Sequence, residues 1–204
     1  MREKTKEKRD VGVMFTPDFK PKVQCAKAAK KAVGVLSQIT RAFHCQKKDV
    51  LPRICNTYVS LHLENAVQAW ALWTRGEIDQ LERVQKRMVT MVQGLKGSTY
   101  EEKLVEMGME TLEERRRSLD MVQTFKIVRK IDDVDSSKWF QLIPENRHQR
   151  TRLTKGGINL ERGASRLDLR RNFFSQRVIE GWNALPSETK NAKTVSEFKR
   201  RLKA

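Results

Sequence analysis

Residues 78–95, IDQLERVQKRMVTMVQGL, decide the fold class of this chain. Their apolar residues recur at three- and four-residue spacing, which is the repeat of one face of an α-helix. This stripe consists of Ile78, Leu81, Val84, Met88, Met91, Val92 and Leu95. The charged residues between them lie mostly on other faces, so the segment predicts an amphipathic helix that Gly94 and Gly97 end.

The sequence around this helix predicts further helices and one strand. A short helix is expected to begin after Ser98, with Ser98 as its N-cap, Glu101 as its third residue and an end at Gly108. A strand is expected at residues 10–15 and is followed by a turn. The remaining helices are predicted at residues 23–43, 48–73, 112–131, 169–182 and 195–202. The fold class is therefore mainly α.

Changes in composition divide the chain into four regions. Residues 1–9 are expected to form a disordered charged tail, and residues 10–21 a strand with its turn. Residues 22–143 form the helical region. Residues 144–204 are rich in arginine and contain a glycine-punctuated stretch that predicts a loop or hairpin.

The composition points to a polyanionic partner. The 204 residues include 42 Lys and Arg against 25 Asp and Glu, which gives a formal net charge of +17. Nucleic acid is the commonest partner of so basic a protein. No run approaches the roughly 18 apolar residues of a membrane span, and the first residues lack the pattern of a secretory signal. We therefore expect no membrane partner.

The cysteines and acidic residues do not predict a metal or cofactor site. Cys25, Cys45 and Cys55 include no CxxC pair, which indicates reduced thiols in an intracellular protein of the nucleus or cytoplasm. Paired carboxylates hold metal ions in polymerases and nucleases. Asp132 and Asp133 have no evident second carboxylate group to complete such a site, so we interpret them as an exposed acidic turn.

Two groups of basic residues are candidates for phosphate contacts. The first lies on the helix predicted at residues 23–43 and consists of Lys27, Lys30, Lys31 and Arg41. The second lies between residues 147 and 177, where nine basic residues are opposed by two acidic ones. Most of the nine are arginines, whose guanidinium group binds phosphate as a bidentate fork. The candidates of the second group are Arg150, Arg152, Lys155, Arg162, Arg166, Arg170, Arg171 and Arg177.

The aromatic residues near the second group have two interpretations. Aromatic side chains beside arginines suit RNA whose unpaired bases can stack on them. Phe174, Val178 and Trp182 recur every four residues, however, which is the spacing of the buried face of a helix. We expect the aromatic side chains, Phe173, Phe174 and Trp182, to form core and the arginines to contact nucleic acid.

Ten short phrases occur in order along nearly the whole chain, and as a set they carry a resemblance. They are DVGV (10–13), DFK (18–20), CAKAAKKA (25–32), VLP (50–52), HLE (62–64), VQAW (67–70), LERVQKR (81–87), YEEKL (100–104), RLDLRRNFFSQRV (166–178) and WNALP (182–186). The set resembles the reverse transcriptases of jockey-like LINE (non-LTR) retrotransposons. Local departures are Asn65-Ala66, where the family often has Tyr-Cys, and Arg75-Gly76-Glu77 in place of a linker that usually carries lysine.

The resemblance implies the C-terminal part of such an RNA-directed DNA polymerase. The DVGV strand resembles the end of the palm, the following helices the thumb, and the arginine-rich region the C-terminal extension. The implied fold is a thumb-like helical bundle with a short N-terminal strand remnant and a basic, partly irregular C-terminal region. The family's catalytic aspartates and endonuclease do not match any segment, so we expect no polymerase activity from this chain on its own.

The resemblance also implies the ligands. A thumb binds the primer–template or the element RNA through phosphate contacts, which makes RNA or an RNA–DNA hybrid the expected partner. An intact reverse transcriptase acting in trans is a further implied partner. Two alternatives stay open: a helical protein-interaction module that uses the stripe of residues 78–95, and a degenerate translated fragment with no independent function.

Overall fold

The computed structural model describes residues 7–43, 50–144 and 157–203, and in these ranges the protein is mainly α, as the sequence predicts. The chain divides into two compact units, residues 1–116 and residues 117–204. The division falls inside one helix, so the second unit includes the end of the helical region predicted at residues 22–143. The two units are described separately.

The first unit contains a β-hairpin and a set of helices. Its elements are β1 (Lys8–Asp10), β2 (Val13–Phe15), α1 (Lys22–Ala42), α2 (Leu51–Tyr58), α3 (Ser60–Glu64), α4 (Arg75–Thr90), α5 (Tyr100–Glu106) and the start of α6 (Leu112–Val128). The amphipathic helix predicted at residues 78–95 corresponds to α4, whose apolar stripe packs against α1. Leu36 from α1 and Leu81 from α4 are buried in this core.

The single strand predicted at residues 10–15 is wrong, because the chain turns back within it. Val11 and Gly12 have φ values of 43° and 83°, and two consecutive left-handed residues make the tight turn that joins antiparallel strands. The turn pairs Lys8 with Phe15. Two residues of the tail predicted at 1–9, Lys8 and Arg9, therefore lie in a strand, whereas residues 1–6 lie outside the described residues.

The long helix predicted at residues 48–73 is instead two helices, α2 and α3, and the prediction is wrong beyond Glu64. Residues 48 and 49 lie outside the described residues. Ala66 adopts a left-handed conformation, with φ 52°, and a 3-10 turn follows at Val67–Ala69. The break frees backbone carbonyls for a buried arginine. Arg116 donates to the carbonyls of Leu63 and Trp70, and its guanidinium carbon lies 3.9 Å from the centroid of the Trp70 ring. Tertiary packing of Arg116 thus overrides a continuous apolar periodicity.

The N-cap of α5 is Thr99, one residue later than the predicted Ser98. Thr99 Oγ1 accepts from the Glu102 amide at 3.2 Å, and Glu102 Oε2 accepts from the Thr99 amide at 2.7 Å. Both Ser98–Glu101 and Thr99–Glu102 fit the capping-box pattern, so local sequence does not choose between them. The observed frame places Tyr100 where its hydroxyl donates to the buried Glu82 carboxylate on α4.

The described residues of the second unit form helices and one short strand pair. Its elements are the rest of α6, β3 (Gln141–Leu142), β4 (Leu160–Glu161), α7 (Asp168–Arg171), α8 (Phe174–Ala184), α9 (Ser187–Lys190) and α10 (Val195–Leu202). The last predicted helix is confirmed, whereas the one predicted at residues 169–182 is two helices that meet at Asn172 and Phe173. Strands β3 and β4 pair antiparallel. β3 lies before the loop or hairpin predicted after residue 144, within the region predicted to be helical, and residues 145–156 lie outside the described residues.

The core of the second unit is built from aromatic side chains. The rings of Phe125 and Phe198 stack with their centroids 4.3 Å apart, and Trp182 stacks on Phe198 at 6.0 Å. Phe174, Val178 and Trp182 are all buried, which confirms the prediction that this stripe is core. The same prediction is wrong for Phe173, which lies outside the stripe and is exposed.

Candidate nucleic-acid interface

Helix α1 has a uniformly basic outer face. Its 21 residues include no Asp or Glu, and its five cations are Lys22, Lys27, Lys30, Lys31 and Arg41. All five are exposed, while the opposite face of the helix packs into the core of the first unit. The four candidates predicted on this helix therefore lie at the surface.

Lys30 lies at a shallow groove between α1 and α4. The groove has a volume of about 440 Å³ and brings Lys30 together with two exposed arginines of α4, Arg83 and Arg87. We call these three residues the basic groove. No acidic side chain is among the residues that line it, and the others are Ala26, Ala29, Val33, Gln80 and Val84. Three cations, with no acidic side chain among the lining residues, make this groove basic.

Two of the three acidic residues of α4, Glu77 and Glu82, do not neutralise the basic groove, because they are engaged elsewhere. The third, Asp79, is exposed and its carboxylate lies 3.4 Å from Arg75 Nε. Glu77 Oε2 caps the start of the helix by accepting from the amides of Trp73 and Thr74 at 2.8 and 3.1 Å. Glu82 is buried and accepts from the Leu112 amide at 3.2 Å as well as from Tyr100. Burial and the Glu82 carboxylate raise the pKa of the Tyr100 phenol, so the phenol keeps its proton and donates it in this hydrogen bond.

Arg83 and Arg87 were not among the residues predicted to bind nucleic acid. The sequence places them off the apolar stripe of residues 78–95, where charged side chains are usually just solvated. Their four-residue spacing, which puts them on one helix face, was the available signal. Only the packing of α1 on α4 shows that they share a groove with Lys30.

Lys27 and Lys31 lie on another side of α1, at a second cavity of about 480 Å³. Arg9 of the hairpin and His62 of α3 also line this cavity. The Lys27 ammonium nitrogen is 3.3 Å from Glu7 Oε2, an exposed ion pair of the kind that contributes little to stability. Positive charge thus extends from the basic groove around the outer face of α1.

The structure describes five of the eight candidates in the arginine-rich region. Arg162, Arg166, Arg170 and Arg171 are exposed, and Arg150, Arg152 and Lys155 lie outside the described residues. The Arg162 side chain is 3.7 Å from Glu180, and Arg171 is 3.1 Å from Asp168. All four acidic and basic side chains in these pairs are more than half exposed, so water and salt screen both pairs.

Arg177 has a structural position. Its guanidinium group binds both carboxylate oxygens of Asp120 at 2.9 and 3.0 Å and donates to the Asn172 carbonyl at 3.0 Å. Both side chains of the ion pair are largely buried. A guanidinium group held by these contacts is not available to a phosphate, so we leave Arg177 out of the proposed interface.

We predict that Arg177→Gln lowers the free energy of unfolding of the second unit by about 2–3 kcal/mol, because Asp120 keeps a buried charge without its partner. Thermal unfolding followed by circular dichroism measures this loss. The double variant Arg177→Gln with Asp120→Asn serves as the control and should recover part of the stability. A single variant as stable as the wild type would contradict the structural role.

Catalytic and metal chemistry has little support in the described residues. The acidic turn is tied into the local structure, since Asp132 accepts from Gln123 at 2.7 Å and lies 3.7 Å from the Lys126 ammonium nitrogen. No three His, Cys, Asp or Glu side chains within the described ranges are grouped to hold a metal ion. Burial raises the pKa of Cys25 to about 12 and that of Cys55 to about 11, so neither thiol ionises near neutral pH.

Comparisons with known proteins do not identify the chain. No protein-family model, curated protein or solved structure matches it. In residues 7–43, 50–144 and 157–203, no helix is both long enough and apolar enough to cross a membrane. The resemblance to retrotransposon reverse transcriptases therefore stays a prediction.

Proposed function

We propose that this protein binds an RNA–DNA hybrid through the phosphate backbone. The basic groove carries the proposal, because Lys30, Arg83 and Arg87 converge there with no acidic side chain among its lining residues. Lysine and arginine side chains that neutralise phosphates give affinity without reading sequence. The other exposed cations of α1 extend the same positive face.

The proposal includes the role implied by the resemblance. We propose that the helices of residues 22–143 act as the thumb of a jockey-like LINE reverse transcriptase, gripping the primer–template. We propose further backbone contacts from the exposed arginines Arg162, Arg166, Arg170 and Arg171. The order of the ten phrases along the chain and the mainly α fold support this role. We propose no polymerase activity for this chain, because none of its matched segments carries the family's catalytic aspartates.

The protein-interaction alternative depends on the apolar stripe of residues 78–95, and most of this stripe is buried. Leu81, Val84, Met88 and Val92 of the predicted stripe are all buried in the core of the first unit. An apolar face that packs within its own unit is not available to a partner. We therefore propose the basic groove, and not this stripe, as the functional surface.

The test is binding of the purified chain to a fluorescently labelled RNA–DNA hybrid of 20 base pairs over a salt series. The three cations of the basic groove alone predict that log K falls with log salt at a slope of about −2.7, and the other proposed contacts make the slope steeper. A slope near zero, or no binding at low salt, would overturn the proposal. Circular dichroism on the same sample checks folding, and a broad, non-cooperative thermal transition would favour the degenerate-fragment alternative.

A further inference from the structure

Two consecutive phenylalanines at the start of α8 have opposite environments. Phe174 is 2% exposed, and its ring packs against the buried ring of Phe140 and the partly exposed ring of Trp139. Phe173, the N-cap residue of α8, is 48% exposed. The core therefore accounts for Phe174 and leaves a large apolar ring of Phe173 at the surface.

Exposed arginines precede Phe173 in the sequence, and one of them contacts its ring. The guanidinium carbon of Arg170 lies 5.5 Å from the centroid of the ring, within the range of a cation–π interaction. Arg166 and Arg171 are also exposed. We call Phe173, Arg166, Arg170 and Arg171 the α7 platform. Leu167, just before α7, is 66% exposed and adds apolar surface to this segment.

An aromatic ring among arginines matches the chemistry of an unpaired nucleotide. The flat ring offers a stacking surface for a base, and the guanidinium groups offer donors to the flanking phosphates. The bases of a duplex are already stacked on one another and do not reach such a ring. Asp168 and its ion pair with Arg171 reduce the local charge only weakly, because the Asp168 side chain is 77% exposed.

We infer that the α7 platform binds single-stranded RNA by stacking an unpaired base on Phe173, with Arg166, Arg170 and Arg171 contacting its phosphates. This site lies in the second unit and is different from the basic groove of the first unit in both position and ligand. The basic groove takes a duplex backbone and reads no base, whereas the α7 platform requires a base that is free to stack.

The test compares two variants of Phe173 on two probes. Phe173→Leu removes the aromatic ring and keeps an apolar side chain, and Phe173→Trp is the matched control that keeps a stacking surface. The probes are an unstructured 12-nucleotide RNA and the 20-base-pair hybrid. We expect Phe173→Leu to weaken binding of the single strand about tenfold, with the slope of the salt dependence unchanged. Phe173→Trp should bind it at least as tightly as the wild type.

A second variant separates the charged part of the α7 platform from the aromatic part. This variant changes Arg166, Arg170 and Arg171 together to glutamine. It should weaken binding of the single strand and make the slope of log K against log salt shallower by about 2. Neither Phe173 variant should change binding of the hybrid. Because the ring is half exposed, thermal unfolding of the Phe173 variants should match that of the wild type.

Several outcomes overturn the inference. The first is that Phe173→Leu binds the single strand as tightly as the wild type does. The second is that Phe173→Leu weakens binding of the hybrid as much as binding of the single strand. The third is that Phe173→Trp binds the single strand as weakly as Phe173→Leu does. A wild type that binds the hybrid but not the single strand overturns the inference and leaves the proposed function intact. If the chain binds the single strand through Phe173 and does not bind the hybrid, the result supports this inference and overturns the proposal that the basic groove binds a hybrid.

Discussion

Changing Lys30, Arg83 and Arg87 together to glutamine weakens binding of an RNA–DNA hybrid about 100-fold at 0.1 M salt and makes the salt slope shallower by about 2.7. The effect is large because each lost cation no longer releases a counterion from the backbone. All three side chains are exposed, so the change leaves thermal stability nearly unaltered. Fluorescence anisotropy over a salt series measures both the affinity and the slope.

The control for this variant removes the same charge elsewhere. Lys193, Lys199 and Arg200 are exposed on α10 and the segment before it, and changing them to glutamine also removes three positive charges. If hybrid binding depends on the basic groove, this control reduces affinity only a few-fold, through the lower net charge. Equal losses of hybrid affinity in the two triple variants would contradict the proposal that the basic groove binds the hybrid. They would indicate that only the overall charge of the protein matters.

Changing Trp182 to alanine lowers the free energy of unfolding of the second unit by about 3–5 kcal/mol. The side chain is fully buried, stacks on Phe198, and its indole Nε1 donates to the Ile158 carbonyl at 2.9 Å. Removing it leaves a cavity and an unsatisfied carbonyl. Urea denaturation, with hydrogen exchange of the α8 amides to isolate the second unit, measures the loss.

Trp182→Phe is the matched control, because it keeps most of the ring volume and loses the hydrogen bond to Ile158. It should cost about 1–2 kcal/mol, the range for one unpaired buried acceptor together with a small cavity. An alanine variant whose α8 amides exchange as slowly as those of the wild type would show that Trp182 does not support the second unit. Neither variant should change the affinity of the basic groove for the hybrid.

A buried lysine shows how closely the second unit is tied together by polar contacts. Lys190 is fully buried, and its ammonium group donates to Asn159 Oδ1 at 2.8 Å and to the Asn183 carbonyl at 2.9 Å. These bonds connect the segment before β4 with the end of α8. No element is predicted at residues 187–190 and lysine is rarely buried, so the sequence does not predict this burial.

The helices could be predicted because their signal is local. A helical apolar stripe needs only neighbouring residues, and this is why α1, α4, α6 and α10 lie close to their predicted positions. Capping signals are also local but ambiguous by a residue, as Ser98 and Thr99 show. The predicted helix at residues 48–73 is broken because Arg116, far along the chain, requires the carbonyls that a continuous helix would use.

For the candidate site, too, some features follow from the sequence and others only from the tertiary structure. Sequence alone established that the protein is basic, that α1 has a cationic face, and that Phe174, Val178 and Trp182 are core, since charge and periodicity are properties of composition and spacing. Tertiary packing alone decided that Lys30 meets Arg83 and Arg87, that Arg177 binds Asp120, and that Phe173 faces outward. These pairings join residues up to 57 positions apart, and a helical repeat holds no information on which distant face it will pack against.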